Sequence, residues 1–428
     1  MAETLTTRLA DFATGAVMPS ETAMTVTRLS SLDWIAVGRA GVDEPVARIT
    51  RALAMDDGGA AQAQVFGADI QLPARAAALV NGTTSHALDY DDTHFGHIGH
   101  PSVAVFPAAL AVTQTIGASV QDMLTAALIG METSIRVGLW LGRTHYQTGF
   151  HQTATAGAFG AAAAAARLLG LSAVQTEHVL GLTATRAAGL KTQFGTMGKP
   201  YNAGLAASAG VEAAQLVALG LVANPQAMLG DFGFGATHHG EGNVKTALQG
   251  LGNEWLFESV SHKFHACCHG LHAALEALRE VDVAEQEISE IMVHTHPRWM
   301  SVCNQLEPTT GLGAKFSYGT VLAMMVLGHD TARLDRFSDA ICTDPNVVRL
   351  RDCVDVIADE NLRETEAIVA VLRRDGSTLR ARYDLTSPVE LDQRVLRVQA
   401  KAAALIGKPE VIRIWRDLAA DTDCNELI

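Results

Sequence analysis

The chain is poor in charged, aromatic and cysteine residues, and each shortage excludes a class of protein. Charged residues make up 18% of the 428 residues and aromatic residues 5%, whereas 48% are hydrophobic. Disorder is therefore excluded for most of the chain, because disordered segments combine low hydrophobicity with high net charge. The six cysteines form no CxxC pair. We therefore expect a reduced, cytoplasmic protein without a disulfide framework.

Basic residues are scarce as well. The chain has 32 of them against 46 acidic residues, a net charge of −14 and no long run of Lys or Arg. Nucleic acid is excluded as a partner, because its binding needs a basic surface. An anionic ligand would have to be held by a few local cations. So small a charged fraction also indicates that some surface is hidden between subunits, and we expect a dimer or larger assembly.

The chain also lacks a long, strongly apolar run. Its longest apolar stretch, around Ala154–Leu171, consists mostly of Ala and Gly and contains Arg167 near its end. This composition predicts a buried helix, not a membrane span. The N-terminal sequence MAETLTTRLADF has an early acid and no apolar core, so it does not predict a signal peptide.

Hydrophobic periodicity predicts a mainly α fold. Residues 1–258 have the pattern of nearly continuous helix without long strand-like alternation, and Val26–Ile35 shows one apolar face. Ser119 and Ser172 are predicted to cap the N-termini of two helices.

The pattern changes after about residue 280. The β-branched segment Ile288–Thr295 predicts a strand, and Asp375-Gly376 predicts a hairpin within residues 366–384. Helices are predicted near 313–328 and 345–357, and again from about 392 to 418. We therefore predict a large all-helical domain, residues 1–262 and 392–428, with a smaller inserted α+β domain, residues 263–391.

The densest group of titratable residues is the segment from His86 to Pro101, with four His and three Asp in a glycine-bearing loop. An acid–base site is one interpretation, since a His oriented by an Asp can take and return a proton. A metal site is another, although His94, His97 and His100 do not converge easily at intervals of three residues. A polar surface loop is the third.

Three further segments contain candidate residues. His151 precedes the Ala-rich helix, where the helix dipole favours an anion and a neutral imidazole; it acts in proton transfer or only caps the helix, and nearby Tyr146 is a second candidate acid. Lys199 lies among glycines in a turn that lacks phosphate-loop spacing. It holds a carboxylate or developing enolate charge, or is an exposed loop lysine.

The third of these segments, Lys263 to His272, surrounds Cys267 and Cys268. Adjacent cysteines do not easily share one zinc ion, so we predict that these two are buried structural residues. Lys263 and His272 contact an anion or are structural. Tyr318, in Lys-Phe-Ser-Tyr, gives a weaker signal, with a core aromatic residue as the default.

Four of these segments together resemble the MmgE/PrpD family, the 2-methylcitrate dehydratase-like proteins. They occur in the family's order and near its spacing, and the resemblance extends over essentially the whole chain. The segments are HALDYDDTHFGHIGHPS at 86–102, GFHQTATAGAFGAAAAAARLLGLS at 149–172, GKPYNAGLAASAGVEAAQLVALGL at 198–221 and KFHACCHGLHAALEAL at 263–278.

The resemblance implies a helical domain with an inserted α+β lid domain, a homodimer, and a site in the cleft between the domains. It also implies that neither a cofactor nor a metal is needed. Known members of the family act on small di- and tricarboxylates, as methylcitrate dehydratases, cis-aconitate decarboxylases and an iminodisuccinate epimerase.

Site residues are implied by the resemblance in the same way. Catalytic positions of the family match Asp89, His100, His151 and Lys199. Substrate-binding positions match Thr93 beside them and Lys263, His272 and Tyr318 on the lid side. Two departures argue against decarboxylation of cis-aconitate. Animal-type decarboxylases have a His where this chain has Cys268, although fungal-like members also have Cys. The loop between Asp92 and His100 is one residue longer than in those decarboxylases.

Three hypotheses follow. The first is a cofactor-independent lyase that abstracts a proton next to a carboxylate, as a 2-methylcitrate dehydratase does, with a cis-aconitate-type decarboxylase as a variant. In this hypothesis Asp89 orients His100 as base or acid, and His151 or Tyr146 acts from the opposite face. Lys199 and Lys263 hold carboxylates. The second is an isomerase or epimerase of a substituted dicarboxylate. The third is a metal-dependent hydrolase that uses the His/Asp loop.

Overall fold

Helices account for most of the fold. The computed structural model describes residues 4–424 and 427–428. Within them, contacts divide the chain into two units: the described residues of Met1–His262 and Val398–Ile428 form the first unit, and Lys263–Arg397 form the second. The predicted fold class, mainly α with a smaller α+β part, is confirmed.

The described part of the first unit contains eleven α-helices before the second unit begins. In chain order its elements are α1 (Leu5–Thr14), α2 (Glu21–Ala40), α3 (Pro45–Asp57), β1 (Ala63–Val65), β2 (Ala68–Leu72), α4 (Ala74–His86), α5 (Ser102–Ile116), α6 (Val120–Thr148), α7 (Gln152–Leu168), α8 (Ala173–Arg186), α9 (Gly198–Ala218), α10 (Phe234–Thr237) and α11 (Val244–Leu248).

The second unit is built on one sheet. Its boundary at Arg397 lies within the first of the two C-terminal helices. The remaining elements are α12 (His272–Arg279), β3 (Ile288–Thr295), α13 (Pro297–Val302), α14 (Gly311–Ala314), α15 (Tyr318–Val326), α16 (Pro345–Arg351), β4 (Val354–Ala358), β5 (Glu366–Arg373), β6 (Thr378–Asp384), α17 (Leu391–Ile406) and α18 (Lys408–Ala419).

Small residues let the central helices of the first unit approach closely. The Ala-rich helix α7 packs against α5, α6 and α9, and all its residues from Gln152 to Ala166 are buried. A Cβ on Gly160 would lie 2.4 Å from the carbonyl oxygen of Gly130 on α6. A Cβ on Gly82 of α4 would lie 2.9 Å from the Cα of Gly204 on α9. Larger side chains at these positions would force the helices apart.

Helix ends agree with the sequence signals. Ser119 begins α6 and Ser172 begins α8 with complete capping boxes, which Asp122 and Gln175 close. Within the described residues, α6 is the one helix long and apolar enough to cross a membrane. Of its most apolar 18 residues, 89% are buried inside the protein, as in a core helix.

Two predictions of secondary structure were wrong. The first 258 residues were expected to be nearly continuous helix, but β1 and β2 form an antiparallel pair between α3 and α4. The helix predicted over 345–357 ends at Arg351, and Val354–Ala358 is strand β4, parallel to β3. Both are short, so neither gives an alternation long enough to distinguish a strand from a loop or a helix end.

The sheet of the second unit has the order β4-β3-β5-β6. Strands β5 and β6 form the predicted hairpin, in which Gly376 has a φ of 85°, a conformation that glycine adopts without steric cost. Helix α12 packs against both strands, and β5 is mostly buried.

We predict that an added methyl group destabilises the protein more at Gly160, where α6 and α7 pack closely, than at Gly117, in a turn with open space around it. Gly160→Ala should lower the free energy of unfolding by about 1–3 kcal/mol, because the new methyl group overlaps the Gly130 carbonyl. Gly117→Ala is the matched control: its Cβ would meet nothing within 4 Å, and its φ of 68° costs about 1 kcal/mol. Urea unfolding measures both, and an equal or smaller loss in Gly160→Ala would contradict the packing argument.

Candidate active site

A polar group in the first unit forms where α4 ends and where α5, α7 and α9 begin. His86 is the last residue of α4, and His100 lies two residues before the first residue of α5. His151 is the N-cap of α7, and Lys199 lies in the first turn of α9. Three helix N-termini therefore converge on the group, and each favours negative charge nearby.

The carboxylate of Asp91 lies between two imidazoles. Its Oδ1 is 2.9 Å from Nδ1 of His86, and its Oδ2 is 2.8 Å from Nδ1 of His100. Burial raises the pKa of Asp91, but the charges and hydrogen bonds of His100 and His86 outweigh burial and hold that pKa well below its usual value. An ionised Asp91 accepts hydrogen bonds only. Both imidazoles therefore carry a hydrogen on Nδ1, and Nε2 is the nitrogen left for chemistry.

Asp89 contacts the other side of His100. Its Oδ1 lies 3.5 Å from Nε2 of His100, and its Oδ2 lies 2.7 Å from Nζ of Lys199. The Asp89 side chain is 44% exposed, whereas those of His100 and Lys199 are 11% and 16% exposed. Its backbone has a φ of 50°, in the left-handed region that Asp tolerates better than most residues.

His151 is a neutral imidazole. Burial is the largest cause that lowers its pKa well below the usual value, followed by the charges of His86, Lys199 and His100. Asn202 donates from Nδ2 to Nδ1 of His151 at 3.2 Å. With Nδ1 as acceptor, the ring hydrogen lies on Nε2, so His151 can donate a hydrogen bond from that atom. Its ring lies 6.1 Å from that of His86 and nearly parallel to it.

An aromatic side chain covers part of this group. The ring of Phe194 meets the His151 ring edge-on at 4.9 Å, and Nζ of Lys199 lies 5.4 Å from the Phe194 centroid. Phe194 belongs to the turn before α9, where a Cβ on Gly198 would overlap the Gln193 side chain. The tight turn therefore brings Lys199 to the group.

Two other histidines of the loop are structural. His94 bonds Leu256 and Ser259, and Nε2 of His97 bonds Ser134. Burial lowers the pKa of His94 to about 4 and that of His97 to about 3, so both are neutral at pH 7. The expectation that the three regularly spaced histidines do not converge on one ion agrees with these contacts.

A different set of side chains could hold a metal. Ligand atoms of His86, Asp89, Asp91 and His100 all lie within 4.8 Å of one another. Every one of these residues already contacts another member of the set, and Asp89 also pairs with Lys199. A metal would have to displace these contacts and take the hydrogens from the Nδ1 atoms, or bind through Nε2.

The structure brings together four of the predicted site residues, Asp89, His100, His151 and Lys199. It adds His86 and Asp91, which sequence reasoning did not single out. Thr93 pairs through its backbone with Ser261. Tyr146 lies in the last turn of α6, with Nζ of Lys191 at 3.8 Å from its ring centroid.

Three predicted site residues belong to the second unit. Lys263 is buried. His272 begins α12, and its Nε2 lies 3.3 Å from the Cys267 carbonyl; burial holds its pKa well below the usual value. Tyr318 begins α15 and donates from its hydroxyl to the Gly270 carbonyl at 2.8 Å. That these three residues contact a substrate stays a prediction. Cys267 is buried and Cys268 half-buried, both as free thiols.

Comparisons with known proteins agree with the motifs. The profile of the MmgE/PrpD N-terminal domain matches residues 7–247, and that of the MmgE/PrpD C-terminal domain matches residues 265–408. Cis-aconitate decarboxylase of Homo sapiens is 28% identical over 387 residues, which cover 84% of this chain and 79% of that protein.

Two fungal proteins are similar over shorter stretches. A cis-aconitate decarboxylase-like protein of Aspergillus oryzae is 33% identical over 267 residues, 58% of this chain and 55% of that protein. Cis-aconitate decarboxylase of Aspergillus terreus is 27% identical over 303 residues, which cover 64% of this chain and 61% of that protein. The chain therefore aligns with less than two thirds of the length of either fungal relative.

We predict that Asp92 makes stability depend on pH. Asp92 is buried, and Ser102 donates from Oγ to its Oδ2 at 2.6 Å. Burial raises its pKa from 3.8 to about 7. The folded chain therefore holds this proton more tightly than the unfolded chain, and the stabilising effect of protonation is lost as the pH rises from about 4 to 7.

Asp92→Asn keeps an acceptor for Ser102 without the charge. The variant should gain stability over the wild type as the pH rises, by up to about 4 kcal/mol at pH 8, with little difference at pH 4. Urea unfolding at both pH values measures this, with the exposed Asp56→Asn as control. A constant difference between pH 4 and pH 8 would contradict the assignment.

Proposed function

The chain belongs to the MmgE/PrpD family, and from that membership we propose that it is a lyase that acts on a small di- or tricarboxylate by moving a proton at a carbon next to a carboxylate. The observation that carries the proposal is the group in which Asp91 holds His86 and His100, and Asp89 pairs with Lys199. A base, an acid and a fixed cation are what this chemistry requires.

His100 is the proposed base. The Asp91 carboxylate, 2.8 Å from Nδ1, favours a hydrogen on that atom. This leaves the lone pair of Nε2, which lies 3.5 Å from Oδ1 of Asp89, to take a proton from the substrate. The imidazolium that forms is stabilised by the buried Asp91 carboxylate, as in other His–Asp pairs. His86 shares that carboxylate and keeps it from rotating, so it is a positioning residue in this proposal.

Lys199 is the proposed cation. Its ammonium group is paired with the half-exposed Asp89, and a substrate carboxylate can replace Asp89 there. Removal of a proton next to that carboxylate places negative charge on the carboxylate oxygens, which a fixed ammonium stabilises. The converging N-termini of α5, α7 and α9 add to this stabilisation.

His151 is the proposed hydrogen-bond donor to the departing group, since it is neutral and carries its hydrogen on Nε2. In dehydration His100 removes the α-proton, and the β-hydroxyl leaves as water with the proton that the His100 imidazolium returns to it. In decarboxylation the C–CO₂ bond breaks, CO₂ leaves, and the carbon receives a proton from the His100 imidazolium. Both reactions use the same side chains and no cofactor. The names of the relatives favour decarboxylation, whereas the two departures noted in the sequence favour dehydration.

We predict that His100→Gln lowers kcat by about 10²- to 10⁴-fold, the usual contribution of a general base. Turnover of cis-aconitate and 2-methylcitrate is followed by NMR in deuterated water, with CO₂ measured separately. His178→Gln is the control, since His178 of α8 bonds the Ala223 carbonyl; it should keep wild-type kcat.

The products distinguish the reactions. Release of CO₂ identifies a decarboxylase, and an unsaturated acid with loss of water identifies a dehydratase. Deuterium at the α-carbon without loss of either identifies an isomerase. A wild-type protein that neither converts nor exchanges any of a panel of di- and tricarboxylates would contradict the proposed function, and His100→Gln at wild-type kcat would contradict the proposed base.

The metal-dependent alternative rests on the set His86, Asp89, Asp91 and His100. We predict that activity survives dialysis against EDTA unchanged, because imidazole hydrogens and the Lys199 ammonium already compensate these carboxylates. Elemental analysis before and after dialysis checks that the metal is gone. If dialysis removes one equivalent of zinc or iron and the activity is lost, and if adding the metal back restores the activity, the hydrolase would be favoured.

A further inference from the structure

A buried lysine from the C-terminal segment reaches the loop that contains Asp89 and Asp91. We propose that Lys401 is a positioning residue, which holds the main-chain carbonyl of Tyr90 and thereby fixes Asp89 and Asp91 on either side of it. This inference rests on the proposed function, because it assigns Lys401 a role in the same reaction.

The contacts of Lys401 that matter here lie within the first unit. Its side chain is 1% exposed, and its Nζ donates to the Tyr90 carbonyl at 2.6 Å and lies 2.6 Å from Oδ1 of Asp33 on α2. The ammonium also lies 4.0 Å from the centroid of the Tyr90 ring. Lys401 and Tyr90 are 311 residues apart in sequence.

Stability alone does not account for this buried pair. Removing an ammonium and a carboxylate from water costs free energy that their attraction only partly returns, and apolar residues of similar size are often as stable. An ion pair in such a place is better explained by the geometry that it fixes. Here the ammonium contacts Asp33 on one helix and a loop carbonyl at once, so it ties the loop to α2.

The carbonyl that Lys401 holds belongs to the peptide group between Tyr90 and Asp91. That group is planar, so its oxygen fixes the direction in which the chain enters Asp91. On the other side, Asp89 adopts a φ of 50°, a sparsely populated conformation that persists only where the surroundings enforce it. By holding the carbonyl of Tyr90, the residue between Asp89 and Asp91, Lys401 constrains the main chain next to both carboxylates.

The rest of the loop is held in a similar way. Asp92, next along the chain, accepts hydrogen bonds from Oγ and the backbone N–H of Ser102 at the start of α5. The loop is therefore fixed at Tyr90 by Lys401 and at Asp92 by α5, while Asp89 and Asp91 contact the candidate catalytic side chains.

The test removes both charges of the pair together, so that neither is left buried alone. Asp33→Asn/Lys401→Met lacks a donor for the Tyr90 carbonyl, whereas Asp33→Asn/Lys401→Gln keeps an amide donor. Lys401→Arg keeps the ion pair. Lys408→Met, in the first turn of α18, is the control for a lysine of the C-terminal segment and should have wild-type kcat.

We predict that the Met double variant has a melting temperature near that of the wild type and a kcat at least 30-fold lower, with KM changed less than 3-fold. The Gln double variant should have a kcat at least 5-fold higher than that of the Met double variant. A folded Met double variant with kcat within 3-fold of the wild type would overturn the proposal.

A spectroscopic measurement tests the contact itself. Labelling with ¹³C-carbonyl tyrosine and ¹⁵N-aspartate gives two carbonyl–amide signals, because the sequence contains only two Tyr-Asp pairs, Tyr90-Asp91 and Tyr383-Asp384. Among the variants that fold, including Lys401→Arg, those in which the Tyr90-Asp91 signal shifts should have a lower kcat. Those in which the signal does not shift should keep the wild-type kcat. The Tyr383-Asp384 signal is the internal control and should not move.

A shifted signal with wild-type kcat, or a lost kcat with an unshifted signal, would each overturn the proposal. Failure of the proposed function is distinguishable, because it appears as a wild-type protein without turnover or exchange. In that case the signal still reports whether Lys401 holds the Tyr90 carbonyl.

Discussion

The candidate site depends on one buried carboxylate. Asp91 has no access to solvent, and a carboxylate in that position must be compensated by hydrogen-bond donors or by charge. Two imidazoles provide both, and their contacts occupy both carboxylate oxygens. The same contacts determine which nitrogen of His100 carries a hydrogen and which is basic. A neutral side chain at position 91 would leave the orientation of both rings undetermined.

The carboxylate can take this place because the surrounding helices have few large side chains. Gly82 lets α4 approach α9, and Gly130 and Gly160 let α6 approach α7. With the helix axes so close, the C-terminal end of α4 and the N-terminal ends of α5, α7 and α9 meet around one group of side chains. The small residues are thus part of the reason why the first unit can collect three helix dipoles at one position.

Local patterns predicted those parts of the fold that local interactions decide. The Ala-rich helix, the two N-terminal caps, strand β3 and the Asp-Gly hairpin were predicted because caps, periodicity and turns involve residues a few positions apart. The His/Asp loop, His151 and Lys199 were candidates from their residue patterns, and the motif resemblance matched Asp89, His100, His151 and Lys199 to the family's site. Asp91 and Lys401 were not singled out, because their roles come from contacts that a periodic pattern does not encode: Asp91 differs from its neighbours only in the direction of its side chain, and Lys401 acts across 311 residues. The homodimer and the cytoplasmic location stay predictions.

Three aspartates within four residues would be expected to repel an anionic substrate, but each has a different electrostatic state. Asp91 is ionised and compensated by imidazoles, Asp92 has its pKa raised to about 7 by burial, and Asp89 is paired with Lys199. A substrate carboxylate that replaces Asp89 on Lys199 leaves Asp89 near Nε2 of His100. A negative charge there favours the protonated imidazole, so binding of the substrate would itself strengthen the base. In a chain with a net charge of −14, this exchange would let a site rich in carboxylates accept the proposed polycarboxylate.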